Sequence, residues 1–268
     1  MAAGPIALIT DFGLRDPFVG IMRGVILCVD PDVRIVDVCH DIAPGDIQGA
    51  AFSLSMAFPY FPQGTIFTVV VDPGVGGSRR AIAAEIDGKV VVCPDNGVLT
   101  WLLQQHSDVS AVELTSRQYF LAEVSDTFHG RDIFAPVAAY LSKGVSLDEL
   151  GPRISDLTTF LVPQIVTGDR SIQGEVIYVD RFGNLITNIS REQLAPWQGK
   201  SGFGPVRIHI GSAEIQSIEH TYSDVPKGKS LALFGSMGLM EIAVNGGSAL
   251  DILGGKVGAH ILVYRLPE

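Results

Sequence analysis

The fold is decided by residues 65–97, TIFTVVVDPGVGGSRRAIAAEIDGKVVVCPDNG. The first seven residues are a continuous apolar run, typical of a buried strand, and the run ends at Asp72. Two further apolar runs, AIAAEI and KVVV, are joined by Asp87-Gly88, which is a strong hairpin signal. We therefore predict a buried strand, a Gly-rich loop and a hairpin, in that order.

Strand-like and helix-like patterns alternate around this segment, from the N-terminus to about residue 160. The alternation is typical of α/β proteins, and it predicts a three-layer α/β domain over residues 1–163. The predicted elements outside the segment are strands at 5–10 and 34–38, and helices at FVGIMRGVILCV (18–29), 46–61 and 132–144.

The pattern changes after about residue 165. Short apolar runs follow one another at regular spacing, separated by Gly and Asn, and little of the sequence is helical in pattern. We predict an all-β domain over residues 172–268, a barrel or a sandwich, with 162–174 as the connector.

Composition excludes several classes of function. The net charge of −10 and the absence of any basic run longer than Arg79-Arg80 argue against nucleic-acid binding. Cys28, Cys39 and Cys93 are too few and too scattered for a disulfide framework or a zinc site, and we expect all three to be buried. Without a signal peptide or a run of about 18 apolar residues, we expect a soluble cytoplasmic protein with no membrane partner.

Three strand-like runs end at acidic turns, namely Asp11-Phe12-Gly13, Asp72-Pro73-Gly74 and Asp95-Asn96-Gly97. Ligands of open α/β sheets bind outside the carboxyl ends of the strands, so these turns are expected to line one edge of the sheet as a polar site. Any one turn alone is better explained by structure, because Asp and Gly are ordinary turn residues.

The Gly-rich loop after Asp72 is not a phosphate loop, because it lacks Gly-Lys-Ser/Thr and leads into a strand. Asp72 and Arg79 lie on the two sides of this loop and can pair, either as a structural ion pair or as part of a site. Arg80 directly precedes the next strand, which favours a structural role.

Two histidines stand beside predicted elements. His129 precedes the helix at 132–144, where the positive end of the helix disfavours an imidazolium and favours a neutral ring. Catalytic and incidental roles are equally open for it. His40 follows the strand at 34–38, and no second histidine lies at metal-ligand spacing, so a structural role is favoured.

Residues at strand connections of the second domain also suit ligand recognition. Asp180-Arg181-Phe182-Gly183-Asn184 offers an acid, an aromatic face and an amide, which suits a base and an ammonium group. A tight hairpin loop is the alternative. Two similar connections are Ser236-Met237-Gly238 and the segment from Glu241 to Gly246.

Taken together in their order and spacing, these motifs resemble the S-adenosyl-L-methionine hydroxide adenosyltransferase family, the hydrolytic relatives of the fluorinase and chlorinase. The resemblance runs nearly end to end. It rests on Thr10-Asp11-Phe12-Gly13 through Asp16-Pro17, Asp37 through Asp46, Asp72 through Arg80, Pro94 through Gly97, Phe128 through Asp132, Asp180 through Asn184, and Ser236 through Gly246.

The resemblance implies hydrolysis of S-adenosyl-L-methionine (SAM) to adenosine and methionine, with SAM as substrate and no cofactor or metal. It implies an α/β N-terminal domain, a β-barrel C-terminal domain, and a homotrimer that binds substrate between one subunit's N-domain and the next subunit's C-domain. The implied catalytic group is Asp72, Arg79 and His129. The implied substrate contacts are Asp11 to the ribose, Asp16, Asp180 and Ser236 to the methionine part, Phe182 and Asn184 to adenine, and Glu241, Val244 and Gly246 on the adenine side.

Halogenating relatives carry Tyr in place of Asp72 and lack the histidine at position 129, so the resemblance favours water over halide as nucleophile. A SAM-dependent halogenase and a non-catalytic SAM or adenosine sensor are the alternatives. The leaving group of a sulfonium is a neutral thioether, which needs no general acid. The sequence leaves open whether Asp72 or His129 accepts the proton of the attacking water.

Overall fold

The computed structural model describes residues 4–199, 202–203 and 205–266. The chain divides into two compact units, Met1–Phe160 and Leu161–Glu268. The prediction of a mixed α/β protein is confirmed. No helix in the described part of the chain is both long enough and apolar enough to cross a membrane.

The first unit contains one seven-stranded sheet with the order β2-β1-β3-β5-β4-β6-β7. Its strands β2, β1, β3 and β5 are parallel, whereas β4, β6 and β7 join by antiparallel pairing. The strands are β1 (Ile6–Thr10), β2 (Ile35–Cys39), β3 (Ile66–Val70), β4 (Ala81–Ile86), β5 (Lys89–Pro94), β6 (Val109–Glu113) and β7 (Arg153–Ile154). The helices are α1 (Phe18–Val29), α2 (Ile47–Ala57), α3 (Thr100–Gln105), α4 (Ala135–Ser142) and α5 (Leu147–Leu150).

Alternate residues of β1 serve two separate apolar cores. Ile6 and Leu8 belong to the core that includes residues of α1 and α4, whereas Ala7 and Ile9 belong to the core that includes residues of α2 and α3. All four residues are completely buried. This explains why the strand is a continuous apolar run, because both of its faces are covered by apolar side chains.

The predicted hairpin is confirmed. Strands β4 and β5 pair antiparallel up to Ile86 and Lys89, so Asp87-Gly88 forms a two-residue turn. Both turn residues have positive φ, +45° at Asp87 and +64° at Gly88. That conformation matches the right-handed twist of the strands, and Asp-Gly adopts it readily.

The second unit is built mainly of strands. Among the described residues, nine strands form one sheet, with the order β14-β13-β18-β9-β10-β17-β16-β15 and with β8 paired to β9. The inward residues of β9, β10, β13, β14, β16, β17 and β18 share one apolar core. The strands are β8 (Val166–Thr167), β9 (Ser171–Val179), β10 (Leu185–Ser190), β11 (Gln198–Gly199), β12 (Gly202–Phe203), β13 (Val206–Ile210), β14 (Ala213–Ile215), β15 (Ile218–Glu219), β16 (Ser230–Phe234), β17 (Leu239–Val244) and β18 (His260–Arg265). The described part of this unit also contains the short helices α6 (Arg191–Leu194) and α7 (Ala249–Leu253).

Three details differ from the sequence predictions. The helix predicted to reach residue 61 ends at Ala57 and continues as a 3₁₀ turn, Phe58–Tyr60, with a proline in its first turn. The helix predicted at 132–144 is preceded by a π-helical turn, Gly130–Phe134. Cys93 is buried as expected, but Cys39 is half-buried, and Cys28 is exposed because it lies on the outward side of α1, opposite the buried Met22 and Ile26.

Candidate active site

The parallel pairing of β1 and β3 places two of the acidic turns side by side. Thr10 pairs with Val70 at the carboxyl ends of these strands, so Asp11 and Asp72 emerge at the same edge of the sheet. A cleft with a volume of about 480 Å³ opens there. Its walls include Asp11, Phe12, Phe18, Asp72, Phe128 and His129.

Asp72, Arg79 and His129 form one hydrogen-bonded group. Arg79 Nε lies 3.0 Å from each carboxylate oxygen of Asp72, and Arg79 Nη2 lies 2.5 Å from Asp72 Oδ2. The same Nη2 lies 2.5 Å from His129 Nδ1. The side chains of Asp72 and Arg79 are only 5% and 12% exposed, so the pair is largely removed from water.

The protonation state of His129 follows from this contact. A guanidinium has only donors, so the Nδ1 atom of His129 must accept the hydrogen bond from Arg79. The ring is therefore neutral, with its proton on Nε2. Burial, followed by the positive charge of Arg79, lowers the pKa of His129 below its ordinary value. The structure thus agrees with the expectation of a neutral histidine before a helix.

Local backbone features hold Arg79 in place. Gly76 has φ +74°, and a side chain there would meet the carbonyl oxygen of Asp126 at 2.3 Å, so the loop requires glycine. The guanidinium of Arg79 lies over the ring of Phe134, 5.4 Å from its centroid. Phe134 belongs to the π turn, a feature frequent at functional sites, and the same turn begins directly after His129.

Three aromatic rings from separate segments form one wall of the cleft. Phe12, Phe18 and Phe128 pack with ring centroids 5.4 to 5.7 Å apart, in tilted and edge-to-face arrangements. Sequence reasoning did not select these residues. The sequence signal that could have identified them is their position: Phe12 follows Asp11, Phe18 begins α1, and Phe128 precedes His129.

Asp11 and His40 join the loops that follow β1 and β2. Asp11 Oδ2 accepts a hydrogen bond of 2.8 Å from the Gly45 backbone N–H. His40 Nδ1 lies 2.9 Å from the hydroxyl of Thr10, and the backbone carbonyl of His40 accepts from Gly13. His40 does not line the cleft. These contacts support the structural role that the sequence favoured for His40.

The third acidic turn follows β5, which runs parallel to β3, so Asp95 lies at the expected edge of the sheet, but it does not line the cleft. Arg80 binds Asp95 through Nε and Nη2, at 2.9 and 2.6 Å, and it also binds Asp156 at 2.8 Å. Asp95 also accepts from the Thr158 backbone. The carboxylate of Asp95 is occupied by Arg80 and the Thr158 backbone, which supports a structural role for both Asp95 and Arg80.

The Asp180 loop of the second unit is a tight hairpin held by its own acid. Asp180 Oδ1 accepts from the backbone N–H groups of Phe182 and Asn184, at 2.8 and 2.9 Å. Asp180 Oδ2 accepts from the Asn184 side chain at 2.9 Å. Phe182 is 75% exposed, whereas Asn184 is buried. The loop therefore presents an aromatic face to its surroundings.

Glu241 is a buried acid that has a partner which sequence reasoning missed. Tyr222 donates a hydrogen bond of 2.5 Å to Glu241 Oε1. Burial, and then the nearby charge of Asp180, raise the pKa of Glu241. Burial and the bond to Glu241 raise the pKa of Tyr222. No spacing rule links Tyr222 to Glu241, because β16 separates them in sequence.

The remaining expected site residues occupy different environments. Val244 is buried in the core of the second unit, whereas Ser236 and Gly246 are exposed at strand connections. Asp16 is exposed in the turn before α1 and does not line the cleft of the first unit. Within the described residues, no cluster of three or more His, Cys, Asp or Glu is arranged to hold a metal ion.

We predict that protein stability falls as the pH is lowered from about 7.5 to about 5.5. Burial lowers the pKa of both His40 and His129, so the unfolded chain binds these protons at a higher pH than the folded protein does. Stability is therefore full above the ordinary histidine pKa of about 6.5 and is lost below it. Urea unfolding across this pH range measures the effect.

His40→Gln should flatten this pH dependence, whereas His260→Gln, a change at an exposed position, should preserve it. Stability that stays constant or rises on acidification would contradict the assignment of a neutral, buried His40 and a neutral, half-buried His129.

Comparisons with known proteins agree on one family. The model of the SAM hydroxide adenosyltransferase N-terminal domain matches residues 6–151, and that of the C-terminal domain matches residues 174–262. An (R)-S-adenosyl-L-methionine hydrolase of Salinispora tropica is 40% identical over 267 residues, covering 98% of this chain and 99% of the relative. One of Thermus thermophilus is 38% identical, covering 96% and 98%.

More distant and structural relatives extend the comparison. A fluorinase of Nocardia brasiliensis is 28% identical, with 96% of each chain covered. The crystal structure of an uncharacterized conserved protein from Thermotoga maritima has a TM-score of 0.91 and 37% identity, covering 97% of this chain and all of that one. Because the two family models span most of both units, this chain belongs to the SAM hydroxide adenosyltransferase family.

Proposed function

We propose that this protein hydrolyses S-adenosyl-L-methionine, with the R configuration at sulfur, to adenosine and L-methionine. The observation that carries the proposal is the hydrogen-bonded group of Asp72, Arg79 and His129, in which Asp72 and His129 line an aromatic-walled cleft. The R configuration is taken from the names of the two hydrolases that are 38% and 40% identical.

The reaction needs a positioned water more than it needs an acid. The oxygen of water bonds to C5′ while the C5′–S bond breaks, and the electron pair of that bond stays on sulfur. Methionine leaves as a neutral thioether, and the water loses one proton. Because the positive charge on sulfur is dispersed in the transition state, exclusion of water by the phenylalanines of the cleft would favour the transition state over the bound substrate.

The contacts favour Asp72 over His129 as the group that accepts the proton of water. His129 Nδ1 already accepts from Arg79, and in the neutral ring its other nitrogen carries a proton, so the ring has no free site for a further proton. Asp72 remains an acceptor, because each carboxylate oxygen has two lone pairs. We propose that Asp72 accepts the proton of water and that His129 orients Arg79.

The substrate contacts implied by the resemblance are retained as part of the proposal. Asp11 would bind the ribose hydroxyls beside the cleft, and Asp16 would bind the methionine part. In the second unit, Asp180 and Ser236 would bind the amino acid group of the substrate. The adenine side is assigned to Phe182, Asn184, Glu241, Val244 and Gly246.

The finer architecture and assembly are also proposals. We take the first unit as a three-layer α/β domain and the curled sheet of the second as barrel-like, with domain limits at 1–163 and 172–268. The family resemblance supports a cytoplasmic homotrimer in which a neighbouring subunit supplies the residues of the second domain. No cofactor is proposed.

If the protein is a homotrimer, light scattering should give about three times the 28.6 kDa mass of one chain.

We predict that the purified protein converts (R)-SAM to equimolar adenosine and methionine, with or without chloride. Product separation by chromatography, with the R and S epimers tested in parallel, measures the reaction. The carboxylate of Asp72 stands close to the proposed position of the nucleophile and disfavours a second anion there. 5′-Chloro-5′-deoxyadenosine as main product would instead identify a halogenase. Tight adenosine binding without methionine release over hours would identify a sensor.

We predict that Asp72→Asn lowers kcat by about 10²- to 10⁴-fold, the usual range for loss of a general base, with little change in KM. Asp95→Asn is a matched control, because Asp95 forms a similarly buried pair with Arg80 outside the cleft. The control should retain kcat, although it loses stability. Equal losses of kcat in both variants would show that Asp72 has only a structural role.

A further inference from the structure

Asp132 is a completely buried carboxylate that has no part in the proposed reaction and does not line the cleft. It lies in the π turn, three residues after His129. Its Oδ2 accepts two hydrogen bonds from Ser125, 2.8 Å from the backbone N–H and 2.7 Å from the hydroxyl. Because a buried charge is costly without partners, this arrangement calls for an explanation.

The hydroxyl of Ser125 links Asp132 to the backbone that carries His129. Its hydroxyl oxygen accepts a hydrogen bond of 3.2 Å from the Phe128 backbone, directly before His129. Arg79 thus holds the His129 ring at Nδ1, and Ser125 holds the backbone directly before that ring.

Arg131 completes the neutralisation of Asp132. Arg131 Nε lies 2.5 Å from Asp132 Oδ1, and the guanidinium lies over the ring of Phe128, 5.2 Å from its centroid. Although burial acts to raise the pKa of Asp132, the hydrogen bonds from Arg131 and Ser125 outweigh it and hold the pKa below its ordinary value. Asp132 therefore stays ionised, and its carboxylate holds Ser125 through two hydrogen bonds.

We infer that Ser125 and Asp132 are positioning residues that close the segment 125–132 and fix the His129 ring with Nδ1 facing Arg79. Neither residue needs to touch the substrate. They act through His129, which orients Arg79, which in turn orients Asp72. The effect on turnover rests on the proposed hydrolysis, whereas the effect on the His129 ring does not.

The chain contains a matched control for this arrangement. Glu149 Oε1 accepts a hydrogen bond of 3.0 Å from the Ser146 backbone N–H and one of 2.9 Å from the Ser146 hydroxyl. Ser125 donates the same pair of hydrogen bonds to Asp132, but Ser146 and Glu149 do not line the cleft. Ser125→Ala and Ser146→Ala therefore remove the same kind of hydrogen bond. Only the first substitution changes the segment that carries His129.

Steady-state kinetics separate the two variants. Ser125→Ala should lower kcat about tenfold with KM changed less than about twofold, since small misplacements of catalytic groups have effects of this order. Ser146→Ala should retain kcat. Ser125→Thr keeps the hydroxyl and should recover most of the lost activity. Equal kcat for both alanine variants, or no recovery by threonine, would overturn the inference.

A second measurement does not depend on turnover. In ¹⁵N-histidine-labelled protein, the His129 signals are identified by their loss in His129→Asn. The wild type and Ser146→Ala should show one neutral ring with its proton on Nε2, and Ser125→Ala should show a mixture of tautomers. Unchanged His129 signals in Ser125→Ala would overturn the inference even if the protein proved not to be a hydrolase.

Discussion

The site depends on the guanidinium of Arg79, which is shared between Asp72 and His129. A planar guanidinium presents its donors in fixed directions, so the position of either partner constrains the other. Phe134 covers one face of the guanidinium, and the Gly-rich loop carries Arg79 back toward Asp72. Segments distant in sequence thus meet through one side chain.

This arrangement accounts for the chemistry proposed at the site. The guanidinium fixes a carboxylate and a neutral imidazole without leaving a net positive charge beside a cationic substrate. Attack on a sulfonium needs an aligned water and a reacting centre that is shielded from solvent. In the proposed mechanism, Asp72 and Arg79 align the water, and the phenylalanines of the cleft shield the reacting centre. A carboxylate close to the proposed nucleophile also disfavours a halide.

Much of the architecture follows from local sequence signals. The buried strand before Asp72, the Asp-Gly hairpin and the Asp72–Arg79 pairing are each fixed within a few residues, and the sequence predicts them. The meeting of Arg79 with His129 depends instead on the π turn and on the packing of α4 against α1. No local pattern specifies that contact, so from the residues alone the role of His129 stayed open.

Other parts of the site were harder to predict for the same reason. Asp95 follows the end of a strand, as Asp72 does. However, Arg80 lies opposite Asp95 across the β4–β5 pair and forms an ion pair with it. Glu241 was expected at a strand connection but lies within β17, and its bond to Tyr222 forms only when separate segments of the second unit pack together. In both cases a long-range partner decides the role of the residue.

The central claim is that water positioned by Asp72 and Arg79 attacks C5′. Incubation with (R)-SAM in ¹⁸O-labelled water tests this attack most directly. Mass spectrometry of the products should find the label in the 5′-hydroxyl of adenosine and none in methionine. Label absent from adenosine, or label found in the methionine fragment, would contradict attack by water at C5′.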